Sequence, residues 1–278
     1  MKQYILCVFL LIFSTVSTQA QTLNVASYNL RLNTASDGIN AWPNRKEAVK
    51  ALIEYHDFDI FGTQEGFVGQ LKDIATLEGY AYIGVGRDDG KEAGEHSAIF
   101  YKKSRFEVLD KGDFWLSETP DKPSKGWDAT CCNRICSWGK FKEKTSGKIF
   151  YFFSVHFDHQ GVEARRQSGF LMVSRMKQIA KQTPLICVGD FNSDPETEQI
   201  KTLQGFLQDA YLISKKKPYG PVGTFNGFQA NAPLDKRIDY VFVDKHFVVH
   251  TYAALTDTYQ HLYPSDHLPV VCRVQMQK

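Results

Sequence analysis

The stretch LICVGDFN, residues 185–192, is an apolar run that ends in an aspartate and an asparagine. Leucine, isoleucine, cysteine and valine in so short a run predict a buried strand. Asp190 and Asn192 then fall where the strand passes into a loop, which is the usual position of catalytic side chains. An Asx turn after a strand uses the same residue types, and one loop can serve both purposes.

Five further segments repeat this pattern of an apolar run followed by polar side chains. In chain order they read SYNLR, TQE, VHFD, RIDY and SDHLP. Their polar residues are Asn29, Glu65, His156, Asp239, Asp266 and His267. Carboxylates, carboxamides and imidazoles together suit a hard cation of the Mg²⁺ type and an ionised phosphate ester. The pattern predicts that these groups meet at one end of a sheet.

The composition is that of an ordinary globular protein with a sizeable core, since 43% of the 278 residues are hydrophobic and 23% are charged. The formal net charge of +2 is too small for a dedicated binder of long nucleic acid. No internal repeat, low-complexity stretch or linker interrupts the chain. We therefore expect one domain over residues 21–278.

The first twenty residues predict a secretory signal peptide. Lys2 precedes an almost wholly apolar run over residues 4–13, and the small residues Thr18 and Ala20 follow. The apolar run is too short to span a typical bilayer. We expect removal of this segment near Ala20 and a secreted or periplasmic protein without a transmembrane segment. No protein partner is evident, and we expect a monomer.

Short runs rich in valine, isoleucine, phenylalanine and tyrosine predict a protein with many strands. They cover residues 23–28, 59–63, 80–85, 97–101, 106–116, 135–141, 149–157, 185–189, 238–243, 248–255 and 269–275. Helical spacing predicts helices from Pro43, from Val68, over residues 163–182 and from Pro195. We expect the long helix to bury Phe170, Val173, Met176, Ile179 and Ala180. Strands and helices in one chain favour two packed sheets flanked by helices.

The ordered set SYNLR, TQE, VHFD, GDFN, RIDYVFV and SDHLPV resembles the endonuclease/exonuclease/phosphatase superfamily. The resemblance runs from Asn29 to Pro269; any one motif is a weak signal, but the ordered set is strong. It implies an α/β (α+β) fold of the deoxyribonuclease I type, a four-layer αββα sandwich with two mainly antiparallel sheets flanked by helices. It also implies hydrolysis of phosphate esters that depends on Mg²⁺, with Mn²⁺ or Ca²⁺ as alternatives.

The resemblance also implies a role for each motif residue. Glu65 is the expected main metal ligand, with Asn29 and Asp266 near it. Asp190 is the expected base for the attacking water. The other implied catalytic groups are Asn192 and His156, which would face the phosphate, and Asp239, which would orient His267. Glu95 is the expected carboxylate partner of His156.

The middle of the chain is the least generic part, and it should determine the substrate. Arg87, Arg134 and Trp127 are candidate substrate contacts, because a guanidinium and an aromatic ring can together hold a phosphate and a base or sugar. The stretch GTFNGFQ adds Thr224, Asn226 and Phe228 as candidate wall residues. The cysteines of CCNRIC could form a disulfide in an oxidising compartment.

Arg31 departs from the family pattern, because some repair-nuclease relatives carry an acidic residue two positions after the first asparagine. This difference weakens the case for a second metal and could place a cation near the phosphate. Arg31 could equally point outward from its strand.

Several functions remain open. The first is a phosphodiesterase or phosphatase acting on a small phosphorylated ligand such as a sugar, an inositol or a lipid headgroup. A nuclease acting on DNA or RNA is a close alternative, slightly disfavoured by the small net charge. A binding module without activity is disfavoured because every catalytic residue type is present. A zinc enzyme built on His156, His159 and His267 is disfavoured by the carboxylate and amide content.

Overall fold

The computed structural model describes residues 22–277, so the predicted signal peptide lies outside the described residues. The strands are β1 Thr22–Asn29, β2 Ile60–Gln64, β3 Tyr80–Ile83, β4 Ile99–Lys102, β5 Phe106–Trp115, β6 Ile135–Glu143, β7 Ile149–His156, β8 Leu185–Asp190, β9 Gln208–Asp209, β10 Asp239–Val243, β11 Phe247–Ala254 and β12 Val270–Met276. The α-helices are α1 Trp42–Tyr55, α2 Val68–Ile74, α3 Val162–Ala180, α4 Glu198–Gln204 and α5 Ala210–Ile213, and a 3₁₀ helix covers Ala35–Asn40.

The strands form two sheets of six, with the orders β11-β12-β1-β2-β4-β3 and β5-β6-β7-β8-β10-β9. Each sheet has one parallel pair at its centre, β1 with β2 and β7 with β8, and the remaining pairs are antiparallel. The prediction of two mainly antiparallel sheets flanked by helices is confirmed. The parallel pairs matter because both strands of each pair end at the same edge.

Three apolar clusters separate four layers. The cluster between the sheets includes Val25 and Val188. Tyr28 points to the opposite side of β1 from Val25, as strand alternation requires, and packs in the cluster that contains residues of α1 and α2. The third cluster joins the outer face of the second sheet to α3 and α4, through residues such as Met172 and Leu203. The chain is thus a helix–sheet–sheet–helix sandwich.

The two sheets are in close contact at Gly62 in β2, near the ends of the parallel pairs. A Cβ added at Gly62 in β2 would lie 2.5 Å from the Ser154 Oγ atom of β7 and 2.5 Å from a methyl of Val188 in β8. Only a residue without a side chain fits this contact. Gly62 therefore lets the ends of the central strands come together, and the candidate site lies just beyond it.

Several local predictions need correction. Phe170 was expected in the buried stripe of α3 but is 42% exposed. The buried positions of α3 instead repeat every fourth residue, as at Met172 and Met176, and Phe170 lies under the guanidinium of Arg166. The short β9, α5 and the 3₁₀ helix were not predicted, since elements of a few residues carry little periodicity. No helix within residues 22–277 has the length and apolar character needed to cross a membrane.

Candidate active site

The predicted catalytic residues lie at one edge of both sheets. Asn29 is the last residue of β1, and Glu65 directly follows β2. His156 ends β7 and Asp190 ends β8, and these two residues are register partners. Asp239, the first residue of antiparallel β10, is paired with Asp190. The ends of the central strands therefore gather five of the predicted groups in one place.

These residues border a cavity of about 390 Å³. Its floor is polar, and its apolar lining is limited to a leucine, a phenylalanine and two cysteines. The lining residues are Arg31, Leu32, Glu65, Arg87, Glu95, Cys131, Cys132, Arg134, His156, His159, Asp190, Asn192, Phe225, Asp266 and His267. Asn29 and Asp239 do not line the cavity; they are buried and support the residues that do.

Glu65 is fixed by its backbone and by two hydrogen bonds. Its φ angle of 64° is in the left-handed region, which is uncommon for a residue with a side chain. The Asn29 amide donates to Glu65 Oε1 and to Asp190 Oδ2, both at 3.0 Å, and the Leu32 N–H donates to Glu65 Oε2 at 3.1 Å. Asn29 Oδ1 accepts from the Arg31 N–H. Asn29 thus holds the carboxylates of Glu65 and Asp190 in a fixed relation.

The donor atoms suit a divalent cation. Glu65, His156 and Asp190 each offer one ligand atom, and these atoms lie within 4.8 Å of one another. Two carboxylates and an imidazole leave positions free for water and a phosphate oxygen, as a Mg²⁺ site requires. The predicted set of Asn29, Glu65 and Asp266 overlaps with this group only at Glu65, and the metal roles of Asn29 and Asp266 stay predictions.

His267 forms the buried pair that the RIDY and SDH motifs predict. Its Nδ1 atom lies 2.8 Å from Asp239 Oδ2, and its Nε2 atom lies 3.8 Å from Asp190 Oδ2. The Thr224 hydroxyl also donates to Asp239 Oδ2, at 2.6 Å. Burial opposes a charged ring, but the carboxylates of Asp239 and Asp190 outweigh it and raise the pKa of His267 well above its usual value. His267 is therefore an imidazolium at neutral pH and a hydrogen-bond donor.

His156, in contrast to His267, is a neutral imidazole. Burial, followed by the nearby guanidinium groups of Arg134 and Arg87, lowers the pKa of His156 well below its usual value. Arg134 Nη1 lies 3.1 Å from the His156 ring, and the Asn192 amide lies 3.1 Å from Nε2. Glu95, the expected partner of His156, lies 3.9 Å from Nδ1 but only 2.5 Å from Arg87 Nη1. Glu95 is thus bound mainly to Arg87, and His156 is neutral.

Asp190 lies between the two imidazoles. Burial, and then the charge of Asp239, raise the pKa of Asp190 to about 7. Its Oδ1 atom accepts from the Asn192 N–H at 2.9 Å, so an Asx-type turn and a candidate base occur in the same loop. A carboxylate with a pKa near the operating pH is well suited to take a proton from water.

Arg31 points into the site rather than outward. Two of its nitrogens donate to the Asp37 carboxylate at 2.9 Å. The same guanidinium lies 4.0 Å from Glu65 and 3.9 Å from Asp266. A fixed positive charge therefore lies between two carboxylates that would otherwise be candidates for a second metal.

Four candidate substrate residues, Trp127, Thr224, Asn226 and Phe228, do not line the cavity. Trp127 is half-buried in the loop before β6, and its backbone N–H donates to the Glu118 carboxylate. Asn226 is 2% exposed and binds the backbone of residues 265, 266 and 228. Sequence reasoning missed Phe225, which lines the cavity between Thr224 and Asn226. Alternation along an extended segment could have revealed it, because its two neighbours point inward.

Comparisons with known proteins agree with this geometry. The chain matches the Endonuclease/Exonuclease/phosphatase family over residues 24–267. It is 48% identical to the mannosyl-6-phosphatase of Bacteroides thetaiotaomicron VPI-5482, with a TM-score of 0.87, over 91% of this chain and 99% of that one. The human nocturnin catalytic domain, with a TM-score of 0.71 and 21% identity over 93% and 97% of the two chains, shares the fold.

A curated relative is an uncharacterised protein of Acanthamoeba polyphaga mimivirus, 31% identical over 170 residues, which are 58% of this chain and 63% of that protein. The chain spans less than two thirds of the length of the curated relatives it matches. Phosphoester hydrolases that depend on a divalent metal are the class that this fold and site define. The chain belongs to the endonuclease/exonuclease/phosphatase family.

Proposed function

We propose that the chain is an extracytoplasmic, Mg²⁺-dependent hydrolase of phosphate esters that acts on a small phosphorylated ligand, with a phosphorylated sugar favoured. The observation that carries the proposal is the cavity of about 390 Å³, which is near the lower end of the range for ligand pockets. A nucleic acid would need a long basic groove instead. The similarity to a mannosyl-6-phosphatase over nearly all of that chain supports the same conclusion.

The charges around the cavity suit a phosphate monoester. Arg31, Arg87 and Arg134 line it together with the imidazolium of His267. A monoester dianion carries more charge than a diester, and planar guanidinium groups bind phosphate oxygens in pairs. We infer that the ester cleaved is a monoester.

Glu65 would hold the Mg²⁺ ion, with Asp190 and His156 as the nearest further donors. When bound, the ion would supply Lewis-acid polarisation of a phosphate oxygen. The chain's own residues perform the other tasks. Asp190 takes a proton from the attacking water, and the Asn192 amide, which now donates to His156 Nε2 and the Phe157 carbonyl, is placed to bind a phosphate oxygen.

His267 donates a hydrogen bond to the developing negative charge, and Asp239 keeps the donating nitrogen directed into the cavity. Preorganised donors of this kind usually contribute most of the stabilisation of such transition states. Neutral His156 completes the arrangement, because its ring contacts the Arg134 Nη1 atom at 3.1 Å and keeps that guanidinium beside the phosphate position.

The test is Mg²⁺-dependent hydrolysis by the purified chain beside its Glu65→Ala variant. The substrates would be sugar phosphates, inositol phosphates, sphingomyelin, a bis-nitrophenyl phosphate diester, plasmid DNA and oligo-RNA. We expect the highest kcat/KM on a sugar monophosphate, and loss of that activity in the variant and in EDTA. Preferred cleavage of DNA or RNA would replace the proposal with a nuclease. No hydrolysis by a folded, Mg²⁺-binding protein would favour a binding module.

The location and the oligomeric state need separate tests. Expression of the full chain with cell fractionation and N-terminal sequencing should yield a mature protein outside the cytoplasm that begins near Gln21. Light scattering after gel filtration should give the mass of one chain. Recovery of an uncleaved cytoplasmic protein would contradict the location.

A further inference from the structure

One wall of the cavity is a disulfide between two neighbouring residues. Cys131 and Cys132 are bonded to each other, and both line the cavity. Cys131 is exposed and Cys132 is half-buried, so the bridge is accessible from solvent. None of the catalytic steps above uses it. The small ring that such a bridge closes through the backbone presents a rigid, apolar surface in a cavity that is otherwise mostly charged.

The loop that carries the bridge is fixed to the site. The Asn133 side chain donates to the Arg87 carbonyl oxygen at 3.2 Å, and the Arg134 carbonyl oxygen accepts from the Leu116 N–H at 2.8 Å. On the other side, the Thr130 hydroxyl donates to the Gln160 side chain. Hydrogen bonds on both sides of the bridge hold it beside the two arginines. The surface is therefore preformed, and ligand binding costs little conformational entropy of this loop.

Phe225 provides an apolar surface on another side of the cavity. It is 39% exposed, and its ring meets the His267 ring edge-on at 5.1 Å between centroids. Its neighbour Thr224 is bonded to Asp239 at the start of β10, whereas Arg134 leads directly into β6. Three strand spacings, or about 14 Å, separate β6 from β10 in the second sheet.

The bridge and Phe225 therefore lie on opposite sides of the cavity floor. The floor between them is made by the ends of β7 and β8, which carry His156 and Asp190. A ligand with a charged phosphate and a compact ring whose faces are apolar matches this arrangement. A pyranose has such a ring, since its axial C–H bonds form apolar faces and its hydroxyls point outward from the rim. His159 lines the same cavity and offers a polar group for those hydroxyls.

We propose that the Cys131–Cys132 disulfide and Phe225 form the leaving-group subsite, which holds the ring of a hexopyranose while its phosphate lies on the polar floor. This inference rests on the proposed function and names the structural basis of its specificity. Because the bridge is accessible, a dithiol should open the subsite. The S–S bond breaks, two thiols form, and the two electrons and two protons come from the dithiol, which becomes a disulfide.

The test compares two monoesters of primary alcohols, a hexose 6-phosphate and glycerol 3-phosphate, which has hydroxyls but no ring. The variants are Cys131→Ser with Cys132→Ser, Phe225→Ala and the conservative Phe225→Trp. We expect the ratio of kcat/KM for the hexose phosphate over glycerol phosphate to fall about tenfold in the serine pair and in Phe225→Ala. The fall should come mainly from KM, and Phe225→Trp should largely restore the ratio.

Dithiothreitol provides the same test without any substitution. In the wild-type chain, dithiothreitol should lower the ratio of kcat/KM for the hexose phosphate over glycerol phosphate to the value found in the serine pair. In the serine pair, dithiothreitol should not change this ratio. The remaining described cysteines, Cys136, Cys187 and Cys272, are buried free thiols, so they offer no competing target. An equal loss on both substrates would mean that the bridge only supports Arg134, and an unchanged ratio would mean that it does not contact the ring; either result overturns the inference.

A binding measurement separates this inference from the proposed function. If neither ester is hydrolysed, the proposed function fails, and binding of the hexose 6-phosphate to the wild-type chain is measured by calorimetry with Mg²⁺. Weaker binding after reduction, by about tenfold, supports the subsite. Equal affinity of the oxidised and reduced forms overturns it.

Discussion

Replacing Asp190 with asparagine should stabilise the metal-free protein while removing its activity. Burial raises the pKa of Asp190 from 3.8 to about 7. Because each tenfold change in an ionisation constant is worth ~1.4 kcal/mol, ionising this group in the folded protein costs ~4 kcal/mol more than in the unfolded chain. Asparagine has the same shape and cannot ionise, so it avoids this cost.

Part of that gain is lost to hydrogen bonding. Asp190 accepts bonds from the Asn192 N–H and from the Asn29 side chain. A carboxamide has a single acceptor oxygen, so one of these bonds disappears, at ~1 kcal/mol. The net expectation for Asp190→Asn at pH 8 in EDTA is an increase of ~2–3 kcal/mol in the free energy of unfolding.

The pH dependence identifies the cause. A carboxyl group whose folded pKa is raised leaves the protein most stable when protonated, and stability falls as pH rises from 3.8 through about 7. The variant does not lose this contribution. The difference between the two proteins should therefore be small below pH 4, grow between pH 4 and 7, and stay constant above it. Mg²⁺ should reduce the difference, because the cation stabilises the ionised carboxylate.

Urea denaturation at a series of pH values, with EDTA or with Mg²⁺, measures these free energies. Initial rates on the best substrate measure the other half of the prediction, a fall in kcat of about 10²–10⁴-fold, as expected for a lost general base. An Asp190→Asn protein that is no more stable than wild type at pH 8 in EDTA would refute the reasoning. A stability difference that does not change with pH would refute it as well.

Other perturbations test the remaining contacts. Glu65→Gln should weaken Mg²⁺ binding, measured by calorimetry, at least tenfold, and unchanged affinity would reject this residue as a ligand. Thr224→Val removes a buried hydrogen-bond donor to Asp239. It should lower the free energy of unfolding, measured by urea denaturation, by ~2 kcal/mol and should also reduce kcat. A variant with wild-type stability would contradict this. Gly62→Ala should cost ~1–3 kcal/mol, because its methyl would lie 2.5 Å from Val188; a wild-type melting temperature would show that the sheets can separate without cost.

The sequence was most informative where chemistry and strand periodicity coincide. Three strands end in a site residue, namely Asn29, His156 and Asp190. The apolar residues of each strand predict the strand, so the position of the polar group at its end could be predicted as well. The predicted bounds of these strands differ from the observed bounds by at most two residues. The agreement is close because buried strands of this kind are short and rich in β-branched and aromatic residues.

The contacts between distant segments could not be predicted. The sequence near Arg31 does not predict that the Asp37 carboxylate holds the Arg31 guanidinium in the site. That contact depends on the path of the 3₁₀ helix, which contains Asp37. The bond between Cys131 and Cys132, and its place on the cavity wall, depend on how the loop before β6 folds back on Arg87. Phe225 could be missed for a local reason. The sequence pattern pointed to its neighbours Thr224 and Asn226, but in an extended segment the side chain between them faces the opposite way, into the cavity.

The strand order also sets when the enzyme can first become active. β1 lies between β2 and β12, with Thr22 paired to Gln275, so one edge of β1 stays open until β12 has been synthesised. His267 lies just before β12 and reaches the site by the same late step. A growing chain therefore cannot assemble a partial site from its first two thirds, and premature termination should yield an aggregation-prone sheet edge rather than a weakly active fragment.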